Sequence, residues 1–220
     1  MRLRVLTWNL MHGRSMPSAG RDLLPEFTAA LRGWEWDVAL LQEVPPWWPE
    51  SLATSLESEQ RTVLTSHGGG ANAIVVRADR IADHRWARLC RLPERRWVHG
   101  VRLGCGIWVA NLHATVHDDA AAERDGSLAA STALGWAAGA PLVLGGDLNV
   151  RRPAPAGLEH AGGNDVDHVF VSGLRVDGTP TVLDRGRLSD HAPAAVAVEW
   201  DGRDGQPEEG DAAADGDRSD

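Results

Sequence analysis

Side chains that can do chemistry stand where the apolar runs of this sequence end. They are acids, amides and histidines, which accept or donate protons and hold ions or anions. The set comprises Asn9, Glu43, His113, Asp147, Asn149, Asp167, Asp190 and His191. Each residue alone has an ordinary explanation as a turn residue, a solvated acid or a structural histidine. Together they predict one site, because strands that end in such residues converge at one edge of a sheet.

Residues 142–149, LVLGGDLN, form the clearest of these runs. The run is too short for a helix, and it has Pro141 before it and Gly145 within it, so it predicts a buried strand. An acid and an amide, Asp147 and Asn149, follow the glycines two positions apart. Because side chains alternate along an extended chain, these two can face the same side.

The hydrophobic pattern of the remaining chain predicts a mixture of strands and helices. Further strands are predicted over residues 3–8, 37–41, 63–64, 73–76, 86–90, 97–103, 107–112, 166–171 and 194–200. In the first of them the side chains are expected to alternate, with Leu3, Val5 and Thr7 on one face and Arg4, Leu6 and Trp8 on the other. Helices are predicted over residues 23–31 with Asp22 as the N-cap, over residues 50–56, and up to about residue 138 with Asp118 or Asp119 as the N-cap. The alternation within residues 81–112 is typical of an antiparallel meander, and residues 151–164 are predicted to be a connection.

The composition predicts one domain with an acidic tail. The chain has 220 residues and 43% hydrophobic content, enough for one substantial core. All 22 basic residues are arginines and the formal net charge is -9, whereas a general nucleic-acid binder carries a basic footprint. Residues 201–220 hold eight acids and two arginines, which leaves about -3 for the remainder. We expect a domain over residues 1–200 and a disordered tail over 201–220, with partner binding by the tail as the alternative.

The sequence also bears on compartment and redox state. No segment approaches the roughly 18 continuous apolar residues of a membrane helix, and the N-terminus has no signal-peptide pattern. We therefore expect a cytoplasmic protein without a membrane span, and a monomer. Cys90 and Cys105 lack the spacing of a metal site or a redox motif, so reduced structural thiols are expected rather than a disulfide.

Two further motifs allow both a functional and a structural interpretation. Trp47 and Trp48 lie among prolines and could line a substrate groove, but packing in the core or at its rim is favoured over base stacking. Residues 67–70, HGGG, could form a tight turn or a phosphate cradle. The cradle is the weaker hypothesis, because no helix pattern follows these glycines.

Seven short motifs occur in one order along residues 3–200. They are Thr7-Trp8-Asn9, Leu41-Gln42-Glu43, Asn72-Ala73-Ile74, Asn111-Leu112-His113, Gly146-Asp147-Leu148-Asn149, Asp167-His168-Val169-Phe170 and Ser189-Asp190-His191. With them the chain resembles the endonuclease/exonuclease/phosphatase family of metal-dependent phosphoesterases. That family includes abasic-site endonucleases, pancreatic-type deoxyribonucleases, inositol polyphosphate phosphatases and neutral sphingomyelinases. The resemblance implies an α/β (α+β) fold, a four-layer sandwich of two central, mostly antiparallel β-sheets flanked by helices.

The resemblance also implies a role for each oxygen ligand and acid of the site. Asn9 and Glu43 match the family's metal site, with Asp190 as an additional or water-mediated ligand. Oxygen ligands of this kind suit Mg²⁺, with Mn²⁺ as the alternative. Asp147 would orient and deprotonate the attacking water, and Asn149 would hold the phosphate.

The histidines complete the roles that the resemblance implies. His191 would contact the phosphate, while Asp167 accepts a hydrogen bond from its other ring nitrogen and orients the ring. His113 would be the general acid for the leaving oxygen. Asn111 is expected to contact the substrate. Arg14 and Arg151 lie beside motif residues in the sequence and could bind phosphates, but solvation at the surface is favoured for such arginines.

This chain departs from the family pattern in three places. Met11 stands where abasic-site endonucleases carry an acid, so metal binding would depend on Glu43 and Asp190. Asp165 replaces a common arginine and is a second candidate for orienting the phosphate-binding histidine. His113 stands where abasic-site endonucleases have a tyrosine, which places the chain nearer the deoxyribonuclease and sphingomyelinase members.

The expected function is Mg²⁺-dependent hydrolysis of a phosphodiester by in-line attack of water, in a nuclease or a small phosphodiesterase. The partner is then a phosphodiester substrate, with nucleic acid and nucleotides as candidates. The weak net charge outside the tail ranks a small diester, a nucleotide or a short single strand at least level with duplex DNA. A phosphomonoesterase for a lipid, inositol or sugar phosphate and a catalytically silent binding module on the same fold are the alternatives.

Overall fold

The computed structural model describes residues 1–65, 70–91 and 95–202. The acidic tail from residue 203 onward and residues 67–69 of the HGGG segment lie outside the described residues. The helices are α1 (Leu24–Gly33), α2 (Pro49–Ser55) and α3 (Asp119–Ala137), with a 3-10 turn at Met11–Gly13. The strands are β1 (Arg2–Asn9), β2 (Val38–Val44), β3 (Glu59–Leu64), β4 (Ala71–Val76), β5 (Ile81–Cys90), β6 (Arg96–Leu103), β7 (Trp108–His113), β8 (Leu142–Asp147), β9 (Glu159–Asn164), β10 (Asp167–Ser172), β11 (Arg175–Val176), β12 (Thr181–Val182) and β13 (Ala194–Glu199).

Two β-sheets form the centre of the fold. The first sheet has the strand order β11-β13-β1-β2-β4-β3, with β12 also paired to β13, and the second has the order β5-β6-β7-β8-β10-β9. The pairs β1–β2 and β7–β8 are parallel. The other pairs within the described ranges are antiparallel. The prediction of two mostly antiparallel sheets is therefore confirmed.

Apolar side chains cover both faces of the two sheets. Leu3 and Val5 of β1 belong to a core shared with the second sheet, whereas Leu6 and Trp8 pack with residues of α1 and α2. The outer face of the second sheet packs against the alanines of α3, such as Ala129. This alternation along β1 is the one predicted from its sequence. Helices outside two packed sheets give the predicted four-layer sandwich.

Asp118 is the N-cap of α3, as predicted, whereas the N-cap of α1 is Leu23 and the predicted Asp22 precedes it by one residue. Both aspartates accept a hydrogen bond from an amide at the start of the helix. At the start of α1, Asp22 Oδ1 accepts a hydrogen bond of 2.8 Å from the Leu24 amide. Asp118 Oδ1 accepts one of 2.9 Å from the Ala121 amide of α3. These bonds replace partners that the first turn of a helix lacks.

One strand lies where the sequence predicts a connection. The β9 segment, EHAGGN, pairs with β10 although it contains neither an alternating pattern nor a β-branched residue. At Gly162, φ is +151° and a Cβ would come within 2.3 Å of the Pro180 side chain, so glycine is needed there for close packing. The two-residue strands β11 and β12 are also absent from the prediction.

The parallel pairs determine where the functional side chains lie. Parallel neighbours end at the same edge of a sheet, so Asn9 of β1 is in register with Gln42 of β2. In the second sheet His113 of β7 is likewise in register with Asp147 of β8. Asp167 starts β10 directly opposite Asp147. Face-to-face packing of the two sheets then joins these ends into one region.

No helix in the described part of the chain is long and apolar enough to cross a membrane. Cys90 and Cys105 are free thiols in this structure. Burial raises the pKa of both thiols, which keeps them in the protonated, unreactive form near neutral pH.

Candidate active site

Asp147 lies at the centre of the candidate active site. The strand that carries it passes close to β7 at Gly146, where φ is +139° and a Cβ would lie 2.0 Å from the Leu112 carbonyl oxygen. Asp147 is only 1% exposed. Its Oδ2 accepts a hydrogen bond of 2.9 Å from Asn9 Nδ2, and its Oδ1 accepts one of 3.0 Å from the Asn149 amide. These two bonds fix the orientation of the carboxylate.

His191 and Asp167 form a hydrogen-bonded pair beside Asp147. His191 Nδ1 lies 2.8 Å from Asp167 Oδ2, and His191 Nε2 lies 3.9 Å from Asp147 Oδ2. Burial lowers the pKa of His191, but the Asp167 hydrogen bond and the nearby carboxylates overcome it and raise the pKa to about 9. Burial raises the pKa of Asp167, against the opposing effect of its hydrogen bond to His191. His191 is therefore a proton-carrying group whose Nε2 points to the shared space.

His113 approaches Asp147 from the neighbouring strand end. Its Nε2 lies 3.6 Å from Asp147 Oδ2 and 3.9 Å from Glu43 Oε1. The side chain is almost fully buried. Burial lowers the pKa of His113, although the charges of Asp147 and Glu43 partly oppose that effect. The site thus combines an imidazole with a raised pKa and one with a lowered pKa around a single carboxylate.

Glu43 and Asp190 stand at the more exposed side of the site. The side chains of Glu43 and Asp190 are 24% and 51% exposed, and Asp190 Oδ1 lies 3.9 Å from His191 Nε2. Glu43 adopts φ +50°, an unusual conformation for a residue other than glycine. Ser189 holds this side in place, since its hydroxyl donates to the Asn9 carbonyl over 2.6 Å.

The two predicted asparagines outside the metal set differ in position. Asn149 lies beside Asp147, and its Nδ2 donates to the Ala114 carbonyl over 3.0 Å. Asn111 is fully buried, and its Oδ1 accepts from Gln42 Nε2 over 2.8 Å. The Asn111 Nδ2 donates to two carbonyl oxygens of the first sheet, each over 3.0 Å. The contacts of Asn111 thus join the two sheets behind the site, whereas its expected substrate contact stays a prediction.

The predicted arginines lie at the surface. Arg14 is exposed, and its carbonyl accepts from the Ser189 amide over 2.9 Å, next to Asp190. Arg151 is 80% exposed and pairs with Asp165 over 2.6 Å. Because Asp165 pairs with Arg151 while Asp167 holds the histidine, the geometry favours Asp167 over Asp165 as the orienting carboxylate.

His12 lies at the site although the sequence did not single it out. Its Nε2 is 3.3 Å from Glu43 Oε2. The approach depends on consecutive positive φ angles at Met11, His12 and Gly13, of 49°, 53° and 71°. A histidine followed by glycine soon after a strand-ending asparagine was the only sequence feature that could have indicated it.

A second unpredicted group supports the segment behind Asn149. The carboxylate of Asp125, 2% exposed on α3, accepts hydrogen bonds from the amide and the hydroxyl of Thr115 over 2.9 and 2.6 Å. This fixes the segment in which the Ala114 carbonyl accepts from the Asn149 side chain. Asp125 therefore acts on the site only through the backbone that it holds.

A family model described as "Endonuclease/Exonuclease/phosphatase family" matches residues 6–191 of this chain. The chain belongs to the endonuclease/exonuclease/phosphatase family. Members of this family are phosphoesterases. The matched range extends from β1 to His191 and so contains every residue of the candidate site.

Solved structures of other family proteins share this fold. A family protein from Bacteroides thetaiotaomicron is 19% identical, with a TM-score of 0.75 over 91% of this chain and 98% of that one. TDP2 from Caenorhabditis elegans is 17% identical, with a TM-score of 0.72 over 90% and 74% of the two chains. A mannosyl-6-phosphatase from Bacteroides thetaiotaomicron is 18% identical, with a TM-score of 0.73 over 90% and 100%. No curated protein sequence matches this chain significantly.

Enzymes of this family generally use divalent metals, and the side chains present here fit such an ion. Asp147, Asp167 and His191 place ligand atoms within 4.8 Å of one another, although one oxygen of Asp167 is already bonded to His191. Of the expected ligands, Glu43 and Asp190 offer carboxylate oxygens on the more accessible side, whereas Asn9 is buried beside Asp147. Asn9 Oδ1 accepts from the Met11 amide over 2.9 Å, but an amide oxygen has a second lone pair for an ion. Carboxylate and amide oxygens are the donors that Mg²⁺ prefers.

Proposed function

We propose that this chain is a phosphodiesterase that depends on Mg²⁺ or Mn²⁺ and cleaves a nucleotide-sized or nucleic-acid substrate. The observation that carries the proposal is the position of the Asp147 carboxylate. Its Oδ2 lies within 3.6 Å of His113 Nε2 and 3.9 Å of His191 Nε2. A carboxylate that faces two imidazole nitrogens can accept a proton from water at the place where those nitrogens meet a phosphate.

In the proposed mechanism Asn9, Glu43 and Asp190 hold the divalent ion. When bound, that ion supplies neutralising charge for the phosphate oxygens. Asp147 accepts a proton as the water oxygen bonds to phosphorus, and the bond from phosphorus to the leaving oxygen breaks on the opposite side. The leaving oxygen then takes up a proton from His191 or from solvent. Asn9 and Asn149 hold the carboxylate for this step through the hydrogen bonds already described.

The histidines have different proposed roles because their protonation differs. His191 donates a hydrogen bond to a phosphate oxygen and forms an ion pair with it, since the raised pKa of His191 keeps the ring protonated near neutral pH. Asp167 orients its ring. The lowered pKa of His113 leaves that imidazole neutral near pH 7, so it could act as a general acid only after taking up the proton that Asp147 accepts from the attacking water. His191 is therefore the more ready proton donor of the two.

The choice between diester and monoester rests on an experiment. The structural neighbours include TDP2 and a mannosyl-6-phosphatase, but at this level of identity they show only the shared fold. Open access to Glu43 and Asp190 and the absence of strong positive charge support a small diester or short strand.

The test compares bis(p-nitrophenyl) phosphate with p-nitrophenyl phosphate under the same Mg²⁺ or Mn²⁺ concentration, using the full chain. We expect faster turnover of the diester and loss of both activities when EDTA is added. Preference for the monoester would replace the proposal by a phosphomonoesterase. If neither ester is hydrolysed, and a metal-supplemented screen over oligonucleotides, nucleotides and sugar phosphates also gives no turnover, the chain is a binding module on this fold.

A further inference from the structure

A surface groove of about 340 Å³ lies between two loops of the first sheet, and His12 of its lining contacts Glu43. It lies between the segment from residue 12 to residue 23 and the turn that follows β2. The lining includes His12, Arg14, Arg21, Pro45, Trp47 and Trp48. This volume lies at the lower end of the range for small-molecule sites, roughly 300 to 1,000 Å³. A group about the size of one nucleotide is therefore a suitable occupant.

The two adjacent tryptophans of this groove have opposite environments. Trp48 is 1% exposed, and its ring lies 5.3 Å from that of Phe27. A Cβ at Gly13 would lie 2.4 Å from the Trp48 ring, so Trp48 forms a fixed floor under the loop. Trp47 is 70% exposed, which corrects the expectation that both rings pack. An indole ring left in water beside a phosphoesterase site offers a flat apolar face to a ligand.

Of the two arginines that line the groove, Arg14 is the one available to bind an anionic ligand. Arg21 is bonded to Glu26 and to the Asp22 carbonyl, and the Asp22 carboxylate accepts from the Leu24 amide. The Arg14 guanidinium makes no ion pair or hydrogen bond with any residue that the structure describes. Its backbone is nonetheless anchored beside the Asp190 segment through the Ser189 amide.

His12 connects this groove with the proposed catalytic site. It lines the groove and also places Nε2 3.3 Å from Glu43 Oε2. A substrate whose phosphate lies between Glu43 and His191 would therefore extend its next group past His12 toward Trp47. The groove is thus positioned to bind the substrate group that lies next to the reacting phosphate.

We propose that this groove binds the nucleoside part of a nucleotide phosphodiester, with the base stacked on Trp47 and a phosphate oxygen on Arg14. The inference rests on the proposed function, because it names the substrate class of that site. A flat indole face with an adjacent guanidinium matches the planar base and the anionic phosphate of a nucleotide. A lipid chain would need a longer apolar channel than one exposed ring provides.

The test is calorimetric binding to the full chain in EDTA, where no metal-dependent turnover occurs. The probes are adenosine 5′-monophosphate and ribose 5-phosphate, which differ only by the base, and mannose 6-phosphate. We expect the nucleotide to bind roughly tenfold more tightly than either sugar phosphate, the gain typical of one base stacked on an aromatic ring. Trp47→Ala should remove that difference, and Trp47→Phe should keep most of it. Arg14→Gln should weaken the binding of the nucleotide and of ribose 5-phosphate by the same factor.

The matched control is Trp86→Ala, because Trp86 is also largely exposed, at 59%, but lies on β5 in the other sheet. This variant should bind all three probes as the wild type does. Equal binding of the nucleotide and ribose 5-phosphate, or tight nucleotide binding that persists in Trp47→Ala, would overturn the inference even if diesters are hydrolysed. Tighter binding of mannose 6-phosphate than of the nucleotide would show that the groove recognises a sugar and not a base, and would also overturn the inference. Base-dependent binding without hydrolysis of any ester would support the groove while rejecting the proposed catalytic function.

Discussion

The side-chain amide of Asn9 donates to the carboxylate of Asp147 over 2.9 Å and thereby joins the two β-sheets at the candidate active site. Asn9 ends β1 of the first sheet, whereas Asp147 ends β8 of the second. A second cross-sheet bond, from Gln42 to Asn111 over 2.8 Å, lies behind it. The geometry of the site therefore depends on how the two sheets pack, as well as on the loops around it.

Asp167→Asn should reduce phosphodiester turnover about 100-fold or more while the protein stays folded. In the wild type, the Asp167 hydrogen bond orients the His191 ring and raises its pKa, and the variant weakens that bond. Loss of such an orienting carboxylate lowers turnover by this factor or more. Asp165→Asn is the matched control, since Asp165 contacts the exposed Arg151 and should give near wild-type rates. Steady-state kinetics on the aryl diester measures both. Equal losses in the two variants would show that the assignment of Asp167 as the orienting residue is wrong.

Gly146→Ala should destabilise the fold by about 2–4 kcal/mol, because a methyl group there meets the Leu112 backbone and the residue needs φ +139°. Gly135→Ala is the control, because Gly135 lies within α3 and a Cβ there meets no atom within 4 Å. That change should stabilise the protein by up to about 1 kcal/mol through helix propensity. Urea unfolding of the two variants tests the pair. A Gly146→Ala protein as stable as the wild type would contradict the close approach of β8 to β7.

His99 should make the protein less stable as the pH falls. It is fully buried, and burial together with the neighbouring His84 lowers its pKa from 6.5 to about 3. Between those two values the unfolded chain binds a proton that the folded chain does not, so stability decreases as pH falls below 6.5. From pH 7 to pH 5 this residue should cost about 2 kcal/mol.

The measurement for His99 is urea unfolding at pH 7 and pH 5. In His99→Asn that part of the pH dependence should disappear. His117→Asn provides the control, because His117 is exposed and should leave the pH dependence unchanged. If the wild type and His99→Asn lose stability equally between the two pH values, the buried neutral state of His99 is contradicted.

The sequence predicts most of the fold because its strands and caps carry local patterns. The alternation in β1 and the aspartates before α1 and α3 are such patterns, and each is present in the structure. The β9 strand could not be predicted, because its glycines are required by contacts that exist only in the folded chain. Gly162 packs against Pro180, and Gly163 packs against the backbone of β10. Two-residue strands such as β11 are likewise fixed by their partner β13.

For the site, the strand ends predict which polar residues meet but give less information about how each is used. The motif that contains Asn111 gives no sign that its amide bonds across the sheets. His12 reaches Glu43 because Met11, His12 and Gly13 all adopt positive φ angles. Apart from the glycine, nothing in this segment of the sequence predicts that conformation. The different exposures of Trp47 and Trp48 depend on which ring lies beneath Gly13, a contact that exists only in the folded chain.

Turnover of the aryl phosphodiester by Asp147→Asn with Mg²⁺ present measures whether the Asp147 carboxylate acts as the general base. This variant keeps the shape of a side chain that is 1% exposed but removes the carboxylate that faces His113 and His191. Circular dichroism and thermal unfolding should show a folded protein, and kcat should fall by roughly 100- to 10,000-fold, as expected for the loss of a general base. A folded Asp147→Asn protein that hydrolyses the diester at the wild-type rate would contradict the account.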